Sequence, residues 1–247
     1  MSGEFLSETL EYVRLRVADA AVSSGRLSSD VRLVAVSKTR PEKALRSAYG
    51  YGQLDFAENY VQEWATKADE LADLPDLQWH FVGALQSNKV REIVNKVALI
   101  HSVDRAKLID EIAGRAESPQ PILIQVNIAG EAQKAGCTPD EALLLVRHAI
   151  STGLTPPMGL MTVPPESENP EDARPYFRAL RALRDDIKQA LVEDFPEAAE
   201  AFHELSMGMS HDLPQAIEEG ATIVRIGTAI FGARPSKSVE PGAAAAH

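Results

Sequence analysis

A lysine stands at the end of the first apolar run of the sequence, where it could act as a nucleophile. The run Val31–Val36 is apolar and β-branched, which predicts a buried strand, and Ser37 and Lys38 follow it directly. Thr39 and Pro41 then indicate the start of a helix. A partly desolvated lysine amine at a strand end can lose its proton and attack a carbonyl carbon, as Schiff-base formation requires. A solvated lysine in an ordinary strand–helix turn is the alternative, and this stretch alone favours neither.

Two turns of small residues near the carboxyl end of the chain are typical of phosphate-binding sites. Gly208 and Ser210 lie just before a short predicted helix, and Gly227 and Thr228 follow the last predicted strand. Backbone N–H groups at the start of a helix can bind a phosphate, although each turn alone could equally serve tight packing. A phosphate site on one side and Lys38 on the other would suit pyridoxal 5′-phosphate (PLP).

Eight predicted strands alternate with helices and would position these residues. The strands are expected at 31–36, 53–57, 78–83, 97–102, 121–128, 157–162, 203–207 and 221–226. This alternation favours a parallel α/β sheet, and eight units in 247 residues favour a closed (β/α)8 TIM barrel. An additional amino-terminal helix over residues 4–22 is expected to cover the bottom or the side of the barrel. A doubly wound open sheet is the alternative, but no G-x-G-x-x-G follows the first strand.

Capping residues predict where several helices start. Asp104 and Asp212 precede predicted helices, and residues 138–141 combine a capping hydroxyl, a proline and two acidic residues. Pro175 is expected to delay the following helix by one turn. No linker-like segment interrupts the alternation, so residues 1–235 are predicted to form a single domain and residues 236–247 a flexible tail.

The composition argues against several other classes of protein. The chain carries 25 Lys and Arg against 36 Asp and Glu, and a net charge of −11 disfavours nucleic acid and anionic membranes as partners. No apolar run is long enough to span a bilayer, and the amino end lacks the basic start of a signal peptide. The single cysteine, Cys137, cannot form an intrachain disulfide, which fits the cytoplasm. The six histidines lack metal-ligand spacing, so no metal site is expected.

Five segments of the sequence resemble one known family. They are Ala35–Thr39, Ala57–Glu63, Trp79–Lys89, Ser206–Asp212 and Val224–Gly232. In this order they are similar to the pyridoxal-phosphate homeostasis protein family, and this resemblance implies the barrel of the alanine racemase amino-terminal domain, a fold type III PLP barrel. It also implies that the chain binds PLP. We expect a monomer in the cytoplasm, with PLP-dependent apo-enzymes as possible partners.

The resemblance assigns roles to individual residues of the candidate site. Lys38 would form the Schiff base, and Arg225 would face the pyridine nitrogen of PLP. The phosphate would be held by Ser210, Gly227 and Thr228. With less weight, the resemblance also places Asn59 and Met209 near the cofactor.

Four further residues in matching segments keep two possible roles each. His80 is either a hydrogen-bonded histidine of the barrel core or a catalytic base, and the core role is favoured. Asn127, Glu131 and Lys134 lie in the long loop after the fifth strand, where they either close the loop or contact the ligand.

Two functions remain open from the sequence. The first is a non-catalytic carrier that holds PLP and takes part in vitamin B6 homeostasis; the second is an amino-acid racemase of the alanine racemase type. A permanent cation at the pyridine nitrogen, such as Arg225, weakens the ring as an electron sink. Two-base racemisation also needs a second acid or base opposite the lysine, and we expect no β-domain here to help supply it. The sequence therefore favours the carrier, without strong catalytic turnover.

Overall fold

Eight parallel strands close into a barrel in the computed structural model, which describes residues 3–233. Each strand is hydrogen-bonded to the next strand along the chain, and the eighth pairs with the first. The prediction of a (β/α)8 barrel is therefore confirmed. The strands are β1 (Arg32–Val36), β2 (Asp55–Glu58), β3 (Gln78–Phe81), β4 (Leu99–Val103), β5 (Ile122–Gln125), β6 (Pro157–Met161), β7 (Glu204–Ser206) and β8 (Ile223–Ile226).

Ten α-helices are found in the described residues, and those after α1 follow or join the strands. They are α1 (Gly3–Ser23), α2 (Glu42–Gly50), α3 (Val61–Glu70), α4 (Val90–Ile93), α5 (Ala106–Ala113), α6 (Pro139–Thr152), α7 (Arg174–Leu191), α8 (Pro196–Ala201), α9 (Leu213–Glu218) and α10 (Thr228–Phe231). The predicted amino-terminal helix is α1. It packs against α9, α10 and α2, so it covers the side of the barrel at the seam between β8 and β1.

The alternation of side chains along the strands determines which residues face the barrel axis. Val34 of β1, Ala57 of β2 and Ile223 of β8 belong to one buried cluster inside the barrel, together with residues of β4, β5 and β6. Successive side chains of a strand point to opposite faces, so residues an even number of positions further on face the same way. By this rule Lys38 and Arg225 face inward at the carboxyl ends of the first and last strands.

Helix starts agree with the sequence in part. Glu141 accepts hydrogen bonds from the N–H and the hydroxyl of Thr138, both at 2.9 Å, as expected for a capped start of α6. The prediction that Asp104 caps α5 is wrong: the helix begins after Arg105, and Asp104 accepts a hydrogen bond from the Arg105 guanidinium at 2.6 Å. Asp212 does precede α9, but its carboxylate accepts from the N–H of Met209 at 2.6 Å instead of from the helix.

Several connections are shorter or more broken than predicted. The helix expected after β3 is a 3-10 turn, Ser87–Lys89, followed by the single turn of α4. Pro175 lies in the first turn of α7, where proline is tolerated, and the 3-10 turn Pro170–Ala173 precedes it. The short helix α8 was not predicted.

Within residues 3–233, no helix is both long enough and apolar enough to cross a membrane. The predicted tail, 236–247, and the predicted domain boundary at residue 235 lie outside the described residues.

Candidate cofactor-binding site

A cavity of about 290 Å³ opens at the carboxyl ends of the strands. A cavity of this size is at the lower end of the range for small-ligand sites. Its lining includes all seven residues predicted to bind the cofactor: Lys38, Asn59, Met209, Ser210, Arg225, Gly227 and Thr228. Four apolar side chains complete the wall: Val36, Val82, Met161 and Val163. The structure thus brings the predicted residues of four separate strand ends to one place.

A larger cavity, of about 660 Å³, lies outside the barrel between α1 and β1. Its lining includes Glu11 and Arg14 of α1 and contains none of the predicted site residues. Ligand sites of parallel barrels lie at the carboxyl ends of the strands, and the smaller cavity has that position. The smaller cavity is therefore the candidate site.

A buried lysine of α3 holds the end of the strand that carries Lys38. Lys67 Nζ donates hydrogen bonds to the Ser37 carbonyl oxygen at 2.7 Å and to Glu58 Oε1 at 2.6 Å. The Ser37 hydroxyl donates to the same carboxylate oxygen at 2.7 Å. This network fixes the residue before Lys38 from the outer side of the barrel.

The residue after Lys38 is held by the same helix. Thr39 has φ 64°, in the left-handed region that a β-branched residue rarely adopts. Its N–H donates to Glu63 Oε1 at 2.5 Å, and the same oxygen accepts from Lys67 at 2.7 Å. A carboxylate aimed at this N–H offsets part of the cost of the turn, so α3 fixes the backbone on both sides of Lys38.

Glu58 is the least solvated member of the network. Its side chain is fully buried, and its Oε2 has no hydrogen-bond partner among the described residues. Burial raises the pKa of Glu58, while the charge of Lys67 and its hydrogen bond lower it. The carboxylate therefore depends on Lys67 to remain charged.

Glu58 and Lys67 support the site although neither was predicted to do so from the sequence. A signal was present, because Lys67 lies on the same face of the predicted helix as Trp64 and Leu71, both of which are buried. A charged residue in the middle of an apolar helix face needs a buried partner, and the acidic residue at the preceding strand end was the nearest candidate.

Arg225 supplies a buried cation to the floor of the cavity. It is 4% exposed, and it donates hydrogen bonds from Nη1 to Ser206 Oγ at 2.7 Å and from Nη2 to the Thr162 carbonyl at 2.8 Å. Burial lowers the pKa of Arg225 to about 10, with the charge of Asp212 acting in the opposite direction. The guanidinium therefore stays protonated at neutral pH in a fixed orientation.

The two small-residue turns meet at the cavity. Ser210 Oγ accepts a hydrogen bond from the Ala229 N–H at 3.2 Å, which ties the turn after β7 to the start of α10. Gly208 has φ 91°, and a Cβ atom there would lie 2.4 Å from the Cβ of Ala216. The close approach of this turn to α9 therefore requires glycine.

Asn59 gives a direct test of whether the cavity fits a polar ligand. Its Oδ1 is buried and has no hydrogen-bond partner within residues 3–233. A buried amide oxygen without a partner costs free energy unless a ligand or water bonds to it. PLP carries a ring hydroxyl, an aldehyde and a phosphate. The Asn59 amide could bond to the hydroxyl, the Lys38 amine could react with the aldehyde, and the Ser210 turn could bind the phosphate, so these residues fit that cofactor.

The structure places His80 inside the barrel and not in the cavity wall. Its side chain is fully buried and contacts His101 and Asp55 through the two ring nitrogens. This position favours the hydrogen-bonded core histidine over the catalytic base.

The loop after β5 is closed by its own polar residues. Asn127 Nδ2 donates to the Glu131 carbonyl at 2.8 Å, and Lys134 forms an ion pair with Glu131 at 2.7 Å. Lys134 also donates to the Pro164 carbonyl at 2.9 Å. None of these side chains lines the cavity, which favours loop closure over ligand contact.

Comparison with known proteins identifies the family. The family described as alanine racemase, N-terminal domain, matches residues 19–235. A protein of Aquifex aeolicus named pyridoxal phosphate homeostasis protein is 46% identical over 230 residues, which cover 92% of this chain and 97% of that one. A protein of the same name from Pseudomonas aeruginosa is 41% identical, with 93% and 96% covered. The chain belongs to the pyridoxal phosphate homeostasis protein family. The family predicted from the sequence is therefore confirmed.

Solved structures support the same assignment. PipY of Synechococcus elongatus, solved with PLP bound, is 34% identical with a TM-score of 0.77, and the match covers 92% of this chain and 100% of that one. Alanine racemase from Corynebacterium glutamicum has a TM-score of 0.70 at 12% identity, covering 97% of this chain and 64% of the racemase. The second likeness shows the fold alone.

Proposed function

We propose that the protein binds PLP in the cavity at the carboxyl ends of the strands, as a Schiff base on Lys38, and takes part in PLP homeostasis. The observation that carries this proposal is the convergence of an amine, a buried guanidinium and two small-residue turns on one cavity. The names of the curated relatives and the PLP-bound structure of PipY support it. When bound, PLP supplies an aldehyde that condenses with amines and a pyridine ring that accepts electrons.

Each of the chain's residues would have a defined task. Lys38 presents its amine from a turn that α3 holds on both sides, which limits the positions the amine can take. Arg225 would place a cation at the pyridine nitrogen and so disfavour its protonation. Ser210 would join Gly227 and Thr228 in binding the phosphate, and Asn59 would bond to a polar group of the ring.

The lining of the cavity favours a carrier over a racemase. Among the described residues that line it, only Lys38 and Arg225 carry titratable side chains. Arginine is a poor base near neutral pH, so the two-base route to racemisation lacks its second group in this lining. We propose accordingly that PLP is held and passed on to PLP-dependent apo-enzymes in the cytoplasm, by a monomeric protein without strong turnover.

The Schiff base is tested by absorbance and by borohydride reduction. Lys38→Ala should abolish the visible band and the reduced adduct found by mass spectrometry, while phosphate-anchored binding persists in part. Lys89→Ala is the matched control, because Lys89 lies in the 3-10 turn after β3, in an ion pair with Glu92. An unchanged adduct in Lys38→Ala would refute the assignment of this lysine.

The choice between carrier and racemase is tested by exchange of the α-proton. PLP-loaded protein is incubated in deuterated water with a panel of L- and D-amino acids. Exchange no faster than with free PLP supports the carrier. Rapid exchange that depends on Lys38 and inverts the α-carbon would replace the carrier by the racemase.

A further inference from the structure

A chain of hydrogen bonds runs through the inside of the barrel and ends at the cavity. Asp55 Oδ1 lies 3.0 Å from His80 Nε2, and His80 Nδ1 lies 2.9 Å from His101 Nε2. His101 Nδ1 lies 2.8 Å from Ser206 Oγ, which accepts from Arg225 Nη1 at 2.7 Å. The chain therefore joins five strands, β2, β3, β4, β7 and β8, from the amino end of β2 to the guanidinium in the cavity floor.

The two ends of this chain differ in their exposure. The Asp55 side chain is 26% exposed, whereas His80, His101 and Ser206 are fully buried. Water therefore reaches the carboxylate but not the histidines. Three buried polar side chains in a row persist only when each one finds a partner, and here each does.

When both rings are neutral, the carboxylate at the Asp55 end fixes the position of every hydrogen in the chain. An ionised Asp55 only accepts, so His80 Nε2 carries a hydrogen and, in the neutral ring, Nδ1 accepts. His101 must then donate from Nε2, and its Nδ1 accepts from the Ser206 hydroxyl. Arg225 only donates, and this requires the Ser206 oxygen to accept at the same time. The Asp55 end therefore sets the direction of the chain, and the Arg225 end is compatible with it, because a serine oxygen can accept one hydrogen bond while its hydroxyl donates another.

A positively charged histidine is disfavoured inside this chain. Burial lowers the pKa of His101 well below its usual range, and the charges of His80, Arg225 and Arg32 act in the same direction. With both rings neutral, all hydrogens of the chain point from Arg225 toward Asp55. The acceptor lone pairs then face the guanidinium, and this aligned set of dipoles stabilises its charge.

We propose that His80 and His101 are positioning residues for Arg225, held as a pair of neutral Nε2–H tautomers between Asp55 and Ser206. The part of this inference that concerns PLP rests on the proposed function, in which Arg225 faces the pyridine nitrogen. The chain ends on a guanidinium, which does not release its proton at neutral pH. The histidines therefore orient Arg225 and do not deliver protons to the cofactor.

The tautomers are tested by NMR of the protein without PLP. Long-range ¹⁵N–¹H correlation of the histidine rings should show His80 and His101 each with the hydrogen on Nε2 and an unprotonated Nδ1. A cationic ring or an Nδ1–H tautomer for either histidine would overturn the proposal.

The positioning role is tested with Asp55→Asn, which removes the anion at the solvent end and retains the size of the side chain. The separate Nη signals of Arg225 should be resolved in the wild-type protein because its guanidinium rotates slowly, and they should broaden in the variant. Asp110→Asn is the matched control, because Asp110 also contacts a histidine, His148, at 2.6 Å, but on the outside of the barrel. Unchanged Arg225 signals in Asp55→Asn would overturn the positioning role.

A second measurement separates this inference from the proposed function. Asp55→Asn should weaken PLP binding by about fivefold, the effect of one hydrogen bond of modest strength, while Asp110→Asn leaves it unchanged. If the wild-type protein binds no PLP, the proposed function fails, and the two NMR measurements still decide the hydrogen-bond chain. If PLP binds equally to wild type and Asp55→Asn, the positioning role fails alone.

Discussion

Lys67→Met should be among the most destabilising single changes near the site. The substitution keeps an unbranched apolar side chain of similar length, so the packing of α3 changes little. It removes the cation that lies 2.6 Å from Glu58, and that carboxylate is fully buried with one oxygen already lacking a partner in the described part of the chain. The variant leaves a buried carboxylate without its cation, and the Ser37 hydroxyl is the donor that remains to Oε1.

The magnitude follows from the burial of the pair. Removing one partner of a buried ion pair costs about 3–5 kcal/mol, which is a large share of the stability of a typical domain. Lys67 also donates to the Ser37 carbonyl, so the change loosens the turn before Lys38. The double variant Glu58→Gln/Lys67→Met removes both charges and should regain more than half of the loss.

Urea unfolding followed by circular dichroism measures the effect. Lys89→Met is the control, because its ion pair with Glu92 is about one third exposed on each side and should contribute less than about 1 kcal/mol. A loss below about 1 kcal/mol for Lys67→Met, or a double variant no more stable than the single one, would refute the account of the buried pair.

The same variant has a defined pH dependence. Burial raises the pKa of Glu58 in the folded state, and the loss of Lys67 removes the charge and the hydrogen bond that lower it. A carboxyl whose pKa is raised on folding favours the folded state at low pH and disfavours it as pH rises through the folded-state value. The stability gap between wild type and Lys67→Met should therefore narrow as pH falls from neutral toward about pH 5. A gap that widens on acidification would contradict the assigned shift.

Three further predictions concern Gly83, Cys137 and Ser210. Gly83→Ala should destabilise the protein and weaken PLP binding, because the new Cβ would lie 1.9 Å from the carbonyl oxygen of Asn59; urea unfolding and titration with PLP measure both effects. Burial raises the pKa of the Cys137 thiol to about 12, so alkylation by iodoacetamide in mild alkali should be slow in the folded protein and fast in urea. Ser210→Ala should raise the dissociation constant for PLP about fivefold to tenfold with little change in the circular dichroism spectrum, because it removes a hydroxyl from the cavity and the acceptor for the Ala229 N–H.

The residues that line the cavity were accessible to sequence reasoning because a parallel barrel gathers all its carboxyl strand ends on one face. Lys38 and Arg225 lie close together although almost the whole chain separates them, since β1 and β8 pair side by side. The inward direction of both side chains follows from the alternation along a strand. The strand-end pattern pointed to Lys38 and to the turns at Ser210 and at Gly227 and Thr228, whereas the roles of Asn59, Met209 and Arg225 were implied by the resemblance to the family.

The supports of the site needed information that the sequence pattern does not carry. The contact between His101 and Ser206 joins residues 105 positions apart, and it depends on the register of strands that are not neighbours in the barrel. The predicted cap at Asp104 was wrong for a local reason. The guanidinium of Arg105 donates to the Asp104 carboxylate and competes with the N–H groups of the helix. Short pieces such as α8 carry too few residues for a periodic pattern to show.

The pairing of β1 with β8 closes the barrel, and its place in the sequence makes it a late step of folding. β1 is the first of the eight strands to be synthesised and β8 is the last. Their pairing spans more of the sequence than any other in the sheet, so the entropy lost on closing the intervening chain makes it slow to form. Lys38 and Arg225 stand on opposite sides of the seam between the two strands. A ligand that contacts both residues links β1 to β8. At a free ligand concentration of a hundred times the dissociation constant, binding stabilises the closed barrel by about 2.7 kcal/mol. Before β8 has paired with β1, the nascent chain has no complete site that could bind a ligand.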